Sequence, residues 1–195
     1  MLLPLLQLAK KIVVAVTGAS GMPLSVTLLK ELAATSQAEV HLIVSDAAKT
    51  VLELESGLTL DHLTSYAHSV YSQHEFGAAP ASGSWLHDGM IICPCSMASL
   101  GAIANGIGSN LIHRAADVTL KERRKLILVP RETPLNRIHL QNMLAADEAG
   151  ALIMPPTPGF YSKPETIEDI CTHLVGRMLD HLGIEHALVK RWNGI

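Results

Sequence analysis

The sequence has 195 residues, about the size of one domain. Hydrophobic residues make up 48% and charged residues 17%, which excludes a disordered chain and predicts a large buried core. The formal net charge is only −3, so the chain lacks the charge excess typical of a nucleic-acid or anionic-membrane surface. No stretch approaches the roughly 18 consecutive apolar residues of a membrane span, and the three cysteines fit a reducing compartment. We therefore expect a cytoplasmic protein with no nucleic-acid partner and no membrane partner.

The first part of the chain has the pattern of one βαβ unit. Residues 1–10 are mostly apolar but lack the basic start of a signal peptide, so we interpret them as an N-terminal extension. The β-branched run 12–17 stops at Gly18, which is typical of a parallel strand buried on both faces. Apolar spacing predicts a helix over 22–34, and 40–44 is the second buried strand.

Strand-like runs continue to alternate with helical stretches along the rest of the chain. The predicted strands cover 89–93, 125–129 and 151–154, and the predicted helices lie near 46–56, 96–106, 135–149 and 164–182. Right-handed crossovers then place helices on both faces of a parallel sheet. We predict a single α/β domain over residues 1–195, with a doubly wound, Rossmann-like or flavodoxin-like sheet and with 184–195 as a C-terminal tail.

Some helix ends have recognisable sequence signals. Thr133-Pro134 resembles an N-cap followed by proline, and Ser162-Lys163-Pro164 opens the last helix in the same way. Gly183 suits the position just after the end of that helix. Residues 57–88 are the least regular part of the chain.

The loops after the predicted strands are rich in glycine and small hydroxyl residues. They contain 18–21, Ser45, 94–99 and 130–133. Glycine lets the backbone approach an anion, and the helix N-terminus that follows attracts it, so these loops predict phosphate binding. The glycine spacing lacks the full dinucleotide fingerprint, and a tight strand–helix turn explains it equally well. Ser45 stands where a dinucleotide site places an acid for the ribose, which favours a mononucleotide.

Metal-binding patterns are weak in this sequence. Cys93-Pro94-Cys95 has no second cysteine pair and no nearby histidine cluster, so buried apolar side chains are favoured over a zinc site. None of the ten histidines shows metal-ligand spacing, and we expect no metal. The charged run 121–124 has an ordinary interpretation as a solvated helix end.

Six motifs, in one order, resemble the UbiX-type flavin prenyltransferase family. They lie at 17–21, 80–84, 93–96, 114–118 with 120–124, 130–134 and 158–161. The resemblance extends from about residue 11 to Trp192. It implies the fold of flavin-binding decarboxylases and transfer of a dimethylallyl group from dimethylallyl monophosphate to N5 and C6 of reduced FMN, without a metal. The product, prenylated FMN, would serve a UbiD-type decarboxylase, and the family forms homododecamers with sites at subunit junctions.

The resemblance also implies roles for single residues. FMN would be held by Gly18, Ala19, Ser20, Ser45, Ser96, Met97, Ala98, Ser99 and Arg131. The prenyl phosphate would be bound by Arg114, Lys121, Tyr161 and Arg177. The residues implied in catalysis are Ser20, near the flavin N5, Glu55 and Glu132, as acid/base groups, Phe76 and Lys121. Phe76 would stabilise an allylic cation in place of the tryptophan that is common in the family, while two cations and a phenol stabilise the leaving phosphate.

Other interpretations stay open at this point. Arg177 could be a surface arginine, Tyr161 a loop cap and Glu55 a solvated helix-end residue. The chain could instead be an FMN-dependent decarboxylase of the cysteine-decarboxylase type, although Lys121, Tyr161 and Arg177 together argue against that. A non-catalytic FMN-binding subunit of a decarboxylase is a further alternative. A generic NAD-binding domain is disfavoured by the incomplete glycine fingerprint.

Overall fold

The computed structural model describes residues 8–189 and 191, and within this part of the chain six strands form one parallel sheet. The strands are β1 (Lys10–Val16), β2 (Ala38–Val44), β3 (Ser69–Ser72), β4 (Gly89–Cys95), β5 (Lys125–Pro130) and β6 (Ala151–Ile153). The helices are α1 (Met22–Ala34), α2 (Asp46–Ser56), α3 (Leu60–Thr64), α4 (Met97–Ala104), α5 (Leu111–Lys121), α6 (Arg137–Glu148) and α7 (Ile167–Leu182). Short 3₁₀ turns lie at 79–81 and 160–162.

The strand order confirms the predicted doubly wound α/β fold. The order is β3-β2-β1-β4-β5-β6, and every neighbouring pair is parallel. The chain winds outward from β1 to β3, returns to pair β4 with β1, and then winds outward the other way. In such sheets the point of reversal, here between β1 and β4, opens a crevice for ligands at the carboxyl ends of the strands.

Two hydrophobic cores lie on the two faces of the sheet. Successive strand residues point to opposite faces, so Ile12, Val14 and Val16 enter one core while Val13 and Ala15 enter the other. All five side chains are fully buried, as predicted for a parallel strand. Helices α1, α2 and α7 cover the first face, and α4, α5 and α6 cover the second.

The structure differs from the sequence-based prediction in its less regular regions. Strand β1 begins at Lys10, inside the predicted N-terminal extension. The stretch 57–88 contains α3 and the edge strand β3, and α5 was also not predicted. Residues 1–7 of the predicted extension, and 190 and 192–195 of the predicted tail, lie outside the described residues.

The predicted N-caps of the last two helices are wrong, whereas the predicted C-cap is confirmed. Helix α6 is capped by Asn136, not Thr133, because the Asn136 side chain accepts the N–H at the third helical position. Helix α7 is capped by Thr166, not Ser162, through a reciprocal capping box with Asp169. Gly183 ends α7 with a left-handed φ of 69°, which favours glycine.

No helix within residues 8–189 combines the length and apolar character that crossing a membrane requires.

Candidate active site

The loops after β1, β4 and β5 meet at the point where the winding of the sheet reverses. The Thr17 hydroxyl donates to the carbonyl oxygen of Pro94 at 2.8 Å and accepts the N–H of Ser96 at 2.8 Å. The N–H of Arg131 donates to the carbonyl of Cys95 at 3.2 Å. These bonds fix three of the predicted FMN-binding loops relative to one another. Thr17 was not among the predicted site residues, although it directly precedes the glycine loop.

Gly18 allows the loop after β1 to approach the first turn of α2. A Cβ atom at this position would lie 2.4 Å from the Cβ of Ala47, which is closer than two non-bonded carbon atoms can approach. The N–H of Ser45 donates to the carbonyl of Val16 at 3.0 Å, so the β2–α2 connection joins the same group of loops. The predicted FMN-binding residues 18–20 and Ser45 are therefore close together.

The N-terminus of α4 offers an anion-binding position. The Ser96 Oγ caps this helix by accepting the N–H of Ser99 at 3.2 Å. Met97 and Ala98 are the first two helical residues, and an α-helix leaves such N–H groups without an intrahelical acceptor. Their backbone, rather than their side chains, can therefore bind a phosphate, which the positive end of the helix dipole favours.

His113 supports this helix start from α5. Its Nε2 lies 3.2 Å from the Ser99 Oγ and its Nδ1 lies 2.8 Å from the Ser109 hydroxyl. Burial lowers the pKa of His113, so the ring is neutral at physiological pH. His113 was not predicted as a site residue, and only its position beside Arg114 in a family motif could have indicated it.

Glu55 binds the N-terminus of α1. Its Oε2 accepts the N–H groups of Gly21 and Met22, each at 2.9 Å. Partial desolvation raises the pKa of Glu55. Hydrogen bonds from Ser20 and from these two N–H groups, together with the positive charge of Arg131, lower it by more, so the pKa lies below its ordinary value. Glu55 is therefore an anion at neutral pH, which suits a base or an anchor rather than an acid.

Arg131 and Glu132 follow β5 at the same edge of the sheet. The Nε of Arg131 donates to the carbonyl of Ser20 at 3.3 Å, which brings Ser20, Glu55 and Arg131 together. The Glu132 Oε1 accepts the N–H of Thr133 at 3.0 Å, and its side chain is exposed. Arg131 and Glu55 thus lie together beside Ser20, and Glu132 directly follows Arg131 with its side chain exposed.

The Asp46 carboxylate is fully engaged by neighbouring side chains. It accepts from Lys49 at 2.8 Å and from Gln73 at 2.7 Å, and it pairs with His74 at 2.7 Å. Hydrogen bonds from Lys49 and His74 lower the pKa of Asp46 to about 2. This acid at the start of α2 therefore already pairs with three side chains of the protein, which agrees with the prediction of a mononucleotide.

Phe76 lies on the loop that this network holds. The Asp46 contacts tie 73–74 to α2, and Phe76 follows two residues later with half of its surface exposed. Within one chain its ring is therefore partly open to solvent.

Among the residues predicted to bind the prenyl phosphate, Lys121 lies far from the crevice within one chain. Helix α5 starts beside the end of β3, where the Leu111 N–H donates to the Gln73 carbonyl, and it ends just before β5 begins. Lys121 therefore lies near the amino edge of the sheet, about 17 Å from the opposite edge at 3.3 Å per strand residue. It pairs there with Glu122. Arg114, one turn into α5, pairs with Asp117 at 2.7 Å and donates to the Ala81 carbonyl at 3.2 Å.

Tyr161 packs against His173 of α7, and Arg177 lies exposed on the same helix. The Tyr161 hydroxyl is 3.3 Å from the Nε2 of His173, and the Arg177 Nη1 is 3.0 Å from the Oδ2 of Asp180. Helix α7 ends at the amino edge of the sheet, where the Lys10 Nζ donates to the Gly183 carbonyl at 2.6 Å. The structure thus collects the predicted FMN set in one crevice and divides the predicted phosphate set between two helix surfaces.

The cysteines are buried, as predicted. Cys93, Cys95 and Cys171 are free thiols with less than a tenth of their surface exposed, and burial raises the pKa of Cys95 to about 12. Within the described residues, no three His, Cys, Asp or Glu side chains converge as a metal site requires.

Comparisons with known proteins identify the family to which this chain is similar. A family model described as Flavoprotein matches residues 5–191. The chain is 49% identical to the flavin prenyltransferase LpdB of Lactiplantibacillus plantarum over 185 residues, which are 95% of this chain and 99% of that protein.

Two solved structures have the same fold over nearly the whole chain. The dodecameric FMN-dependent UbiX-like decarboxylase of Escherichia coli O157:H7 superposes with a TM-score of 0.92 at 47% identity, covering 94% of this chain and 100% of the other. AnUbiX (PadA1), in complex with FMN and dimethylallyl pyrophosphate, also superposes with a TM-score of 0.92, at 44% identity, covering 96% and 99%. The predicted family is thereby confirmed: the chain belongs to the flavoprotein family and, within it, to the UbiX-like flavin prenyltransferases.

Proposed function

We propose that this chain is an enzyme that transfers a dimethylallyl group from dimethylallyl monophosphate to reduced FMN. Phosphate leaves with the electron pair of the broken carbon–oxygen bond, and the product is prenylated FMN. The observation that carries the proposal is the crevice between β1 and β4, where the loops at Gly18, Ser96 and Arg131 are fixed to one another.

FMN fits this crevice on three grounds. The α4 N-terminus provides N–H groups and a favourable dipole for one phosphate. Gly18 lets the loop after β1 pack against Ala47 beside the crevice, and the side chains already paired with Asp46 disfavour a second ribose. AnUbiX, which has the same fold, is solved with FMN and dimethylallyl pyrophosphate. When bound, reduced FMN supplies the nucleophilic N5 and C6.

Within the crevice, the residues of the chain would orient the flavin and would donate and accept protons. Arg131 provides a fixed positive charge beside the Ser20 carbonyl, and Glu55 holds the Ser20–Met22 turn in place. Glu132 is exposed beside the crevice and is the group we assign as acid and base. Phe76 would cover the dimethylallyl group, stabilise its developing positive charge and exclude water.

The phosphate site is proposed to be completed by other subunits. Lys121, Tyr161 and Arg177 provide two cations and a phenol, which together stabilise the charge of a departing phosphate. They lie on the outer faces of α5 and α7, so a neighbouring copy must bring them to the crevice. The Escherichia coli relative is dodecameric, and we propose the same assembly here. Exposed Ile138, Leu140 and Leu144 on α6 support extensive subunit contacts.

The product would be passed to a UbiD-type decarboxylase, and we propose the cytoplasm as the compartment. The three cysteines are free thiols, which agrees with a reducing environment.

The test is anaerobic incubation of the purified protein with reduced FMN and dimethylallyl monophosphate, followed by mass spectrometry of the released flavin. Addition of one C₅H₈ unit, lost in Glu132→Gln and in Lys121→Ala, is the expected result. A parallel reaction with the diphosphate ester tells which donor is used. Unmodified FMN from protein that has demonstrably bound both ligands would contradict the proposal.

A decarboxylase activity is the second candidate, since the Escherichia coli relative is described as an FMN-dependent decarboxylase. It predicts release of CO₂ from a carboxylic-acid substrate with FMN alone, without the prenyl donor. A non-catalytic FMN-binding subunit would retain its function after Glu132→Gln. The same variant therefore separates this alternative from both enzymes.

A further inference from the structure

The last two turns of α7 carry an acid in an unexpected position. Asp180 lies two residues before the end of the helix, where the negative end of the helix dipole disfavours a carboxylate. Its side chain is only 19% exposed, so it also loses most of its contact with water. A carboxylate in this place needs compensation from cations.

Three side chains provide that compensation. The Oδ2 of Asp180 accepts from the Nη1 of Arg177 at 3.0 Å and from the Nη1 of Arg191 at 2.7 Å. Its Oδ1 lies 3.0 Å from the Nε2 of His186. The hydrogen bond from Arg191 holds the pKa of Asp180 well below its usual range, although burial opposes the shift, and His186 adds to it. Asp180 is therefore an anion throughout the working pH range.

The contact with Asp180 leaves much of the Arg177 guanidinium available. Among the described residues, Arg177 has only this side-chain hydrogen bond, and it uses one of five N–H groups. The other N–H groups can bind a second anion in the forked geometry that guanidinium offers to phosphates. Asp180 restricts the direction in which they point.

The same face of α7 holds the phenol. His173 lies four residues before Arg177, so the two side chains are neighbours on the helix surface. The rings of His173 and Tyr161 make an edge-to-face contact, with centroids 5.6 Å apart, and the Tyr161 hydroxyl is 3.3 Å from the His173 Nε2. The face of α7 that carries the Arg177 guanidinium therefore also carries His173, against which Tyr161 packs.

We infer that Asp180 is a positioning residue of the donor-phosphate site, which holds the Arg177 guanidinium in the orientation that receives the phosphate of the prenyl donor. The inference rests on the proposed function, in which Arg177 binds that phosphate. Without Asp180, Arg177 becomes a mobile side chain that must be ordered by the ligand, and the affinity for the donor falls.

A simpler role must be distinguished from this one, because Asp180 also holds the segment after α7 through His186 and Arg191. The matched control is Arg191→Gln. It removes the strongest contact of that segment with Asp180 and leaves the Arg177–Asp180 pair intact. If Asp180 only secures the segment, Arg191→Gln and Asp180→Asn have the same effect on donor binding.

The experiment is a double-mutant cycle on the assembled, full-length enzyme. Binding of dimethylallyl monophosphate to the protein loaded with oxidised FMN is measured by calorimetry, for the wild type, Asp180→Asn, Arg177→Ala and the double variant. We expect Asp180→Asn to weaken donor binding about fivefold in the wild-type background and to have no further effect in the Arg177→Ala background. FMN affinity stays unchanged in all variants, and Arg191→Gln binds the donor as the wild type does.

Steady-state prenylation with Asp180→Asn gives a second readout. The KM for the donor should rise more than kcat falls, and Asp180→Glu should recover part of the loss. An equal effect of Asp180→Asn with and without Arg177, or no effect at all, overturns the inference. A wild-type protein that binds the donor but leaves FMN unmodified overturns the proposed function, whereas the double-mutant cycle tests the role of Asp180 through donor binding alone, so the two failures are distinguishable.

Discussion

The Glu55 carboxylate accepts the backbone N–H of Gly21 at 2.9 Å, across 34 residues of sequence. It thereby fills the N-terminus of α1, the place where many nucleotide-binding sheets of this type bind a phosphate. The contact joins the end of α2 to the glycine loop and leaves the N-terminus of α4 for a ligand.

Replacement of Glu55 by Gln removes this charged contact. We expect the free energy of unfolding to fall by about 1 kcal/mol, the usual value for an acidic group at a helix N-terminus. Urea unfolding at pH 7 measures the difference. Glu53→Gln, an exposed position on the same helix, is the matched control and should change stability little. An equal loss in both variants would show that the α1 contact contributes nothing specific.

The pH dependence of the Glu55 contribution has a defined sign. Its pKa is lower in the folded protein than in the unfolded chain, so its stabilising contribution is complete above the unfolded value of about 4.3. The contribution disappears as the pH falls through the lower folded value. The difference in stability between the wild type and Glu55→Gln should therefore shrink below about pH 4.3, and a constant difference would contradict the ion-dipole explanation.

Gly18→Ala tests the close approach of the glycine loop to α2. The new Cβ would overlap the Cβ of Ala47, so the helix must shift, and we expect a loss of about 1–3 kcal/mol together with weaker FMN binding. Thermal unfolding and quenching of flavin fluorescence measure both effects.

A second substitution provides the control for this steric argument. Ala47→Gly in the Gly18→Ala background removes the overlapping methyl group and should restore part of the stability and FMN affinity. Gly77→Ala, where a Cβ meets no atom within 4 Å, should leave both properties nearly unchanged. Failure of Ala47→Gly to improve the Gly18→Ala variant would place the cause elsewhere.

His87 should make the protein acid-sensitive. Burial and the positive charge of Arg124 lower the pKa of His87 to about 4. Its Nδ1 accepts from the Arg124 Nη1 at 2.9 Å, which leaves the Nε2–H to donate to the Thr119 hydroxyl at 3.0 Å, so the folded state requires a neutral ring. Between pH 6.5 and about 4 the unfolded chain binds a proton that the folded chain does not.

Stability should consequently decrease as the pH falls through this range, by roughly 2–3 kcal/mol from His87 alone. Urea unfolding of the wild type and of His87→Gln at pH 7.5, 6, 5 and 4 measures the effect. The variant keeps hydrogen-bonding groups but cannot titrate, so its stability should depend less on pH. Parallel pH profiles for the two proteins would show that His87 is not the responsible group.

Mixing two inactive variants tests whether the site is shared between copies. Lys121 lies near the amino edge of the sheet and Glu132 follows β5 at the carboxyl edge, so one chain does not bring them together. If each site takes one residue from each of two chains, co-expressed Lys121→Ala and Glu132→Gln subunits should recover about one quarter of the wild-type activity. Activity that stays at the level of the separate variants would mean that both residues act within one chain.

The central strands of this fold could be predicted because each one is a continuous apolar run in the sequence. Buried runs such as 12–16 and 40–44 are continuous and apolar, which is typical of central parallel strands. Strand β3 was missed because it is four residues long, half polar and at the sheet edge. Helix α5 could have been found from the Asn110 cap and from its apolar spacing.

The predicted helix starts were wrong because more than one nearby residue can act as an N-cap. Thr133-Pro134 has the residue types of a helix start, yet the capping side chain is Asn136, three residues after Thr133. Several residues can cap a helix, and only tertiary contacts decide between them.

The candidate site also has features that the sequence predicts and features that depend on tertiary contacts. The loops predicted to bind FMN follow strands, so the parallel sheet brings Ser20, Ser45, Ser96 and Arg131 to one edge, and sequence order predicts this. The anchoring role of Glu55 depends on how the end of α2 meets α1, which no local pattern contains. The roles of Lys121, Tyr161 and Arg177 come from the family resemblance and remain predictions.

The carboxylate at the N-terminus of α1 also bears on ligand selection among the nucleotides of the cell. A pyrophosphate bound in the usual dinucleotide position would meet the negative charge of Glu55 and would have to displace it from two N–H groups. Dinucleotides such as FAD and NAD carry that pyrophosphate, whereas FMN ends in a single phosphate. In the proposed binding mode, the charge of Glu55 would therefore disfavour a dinucleotide, and the same residue caps the first helix of the protein.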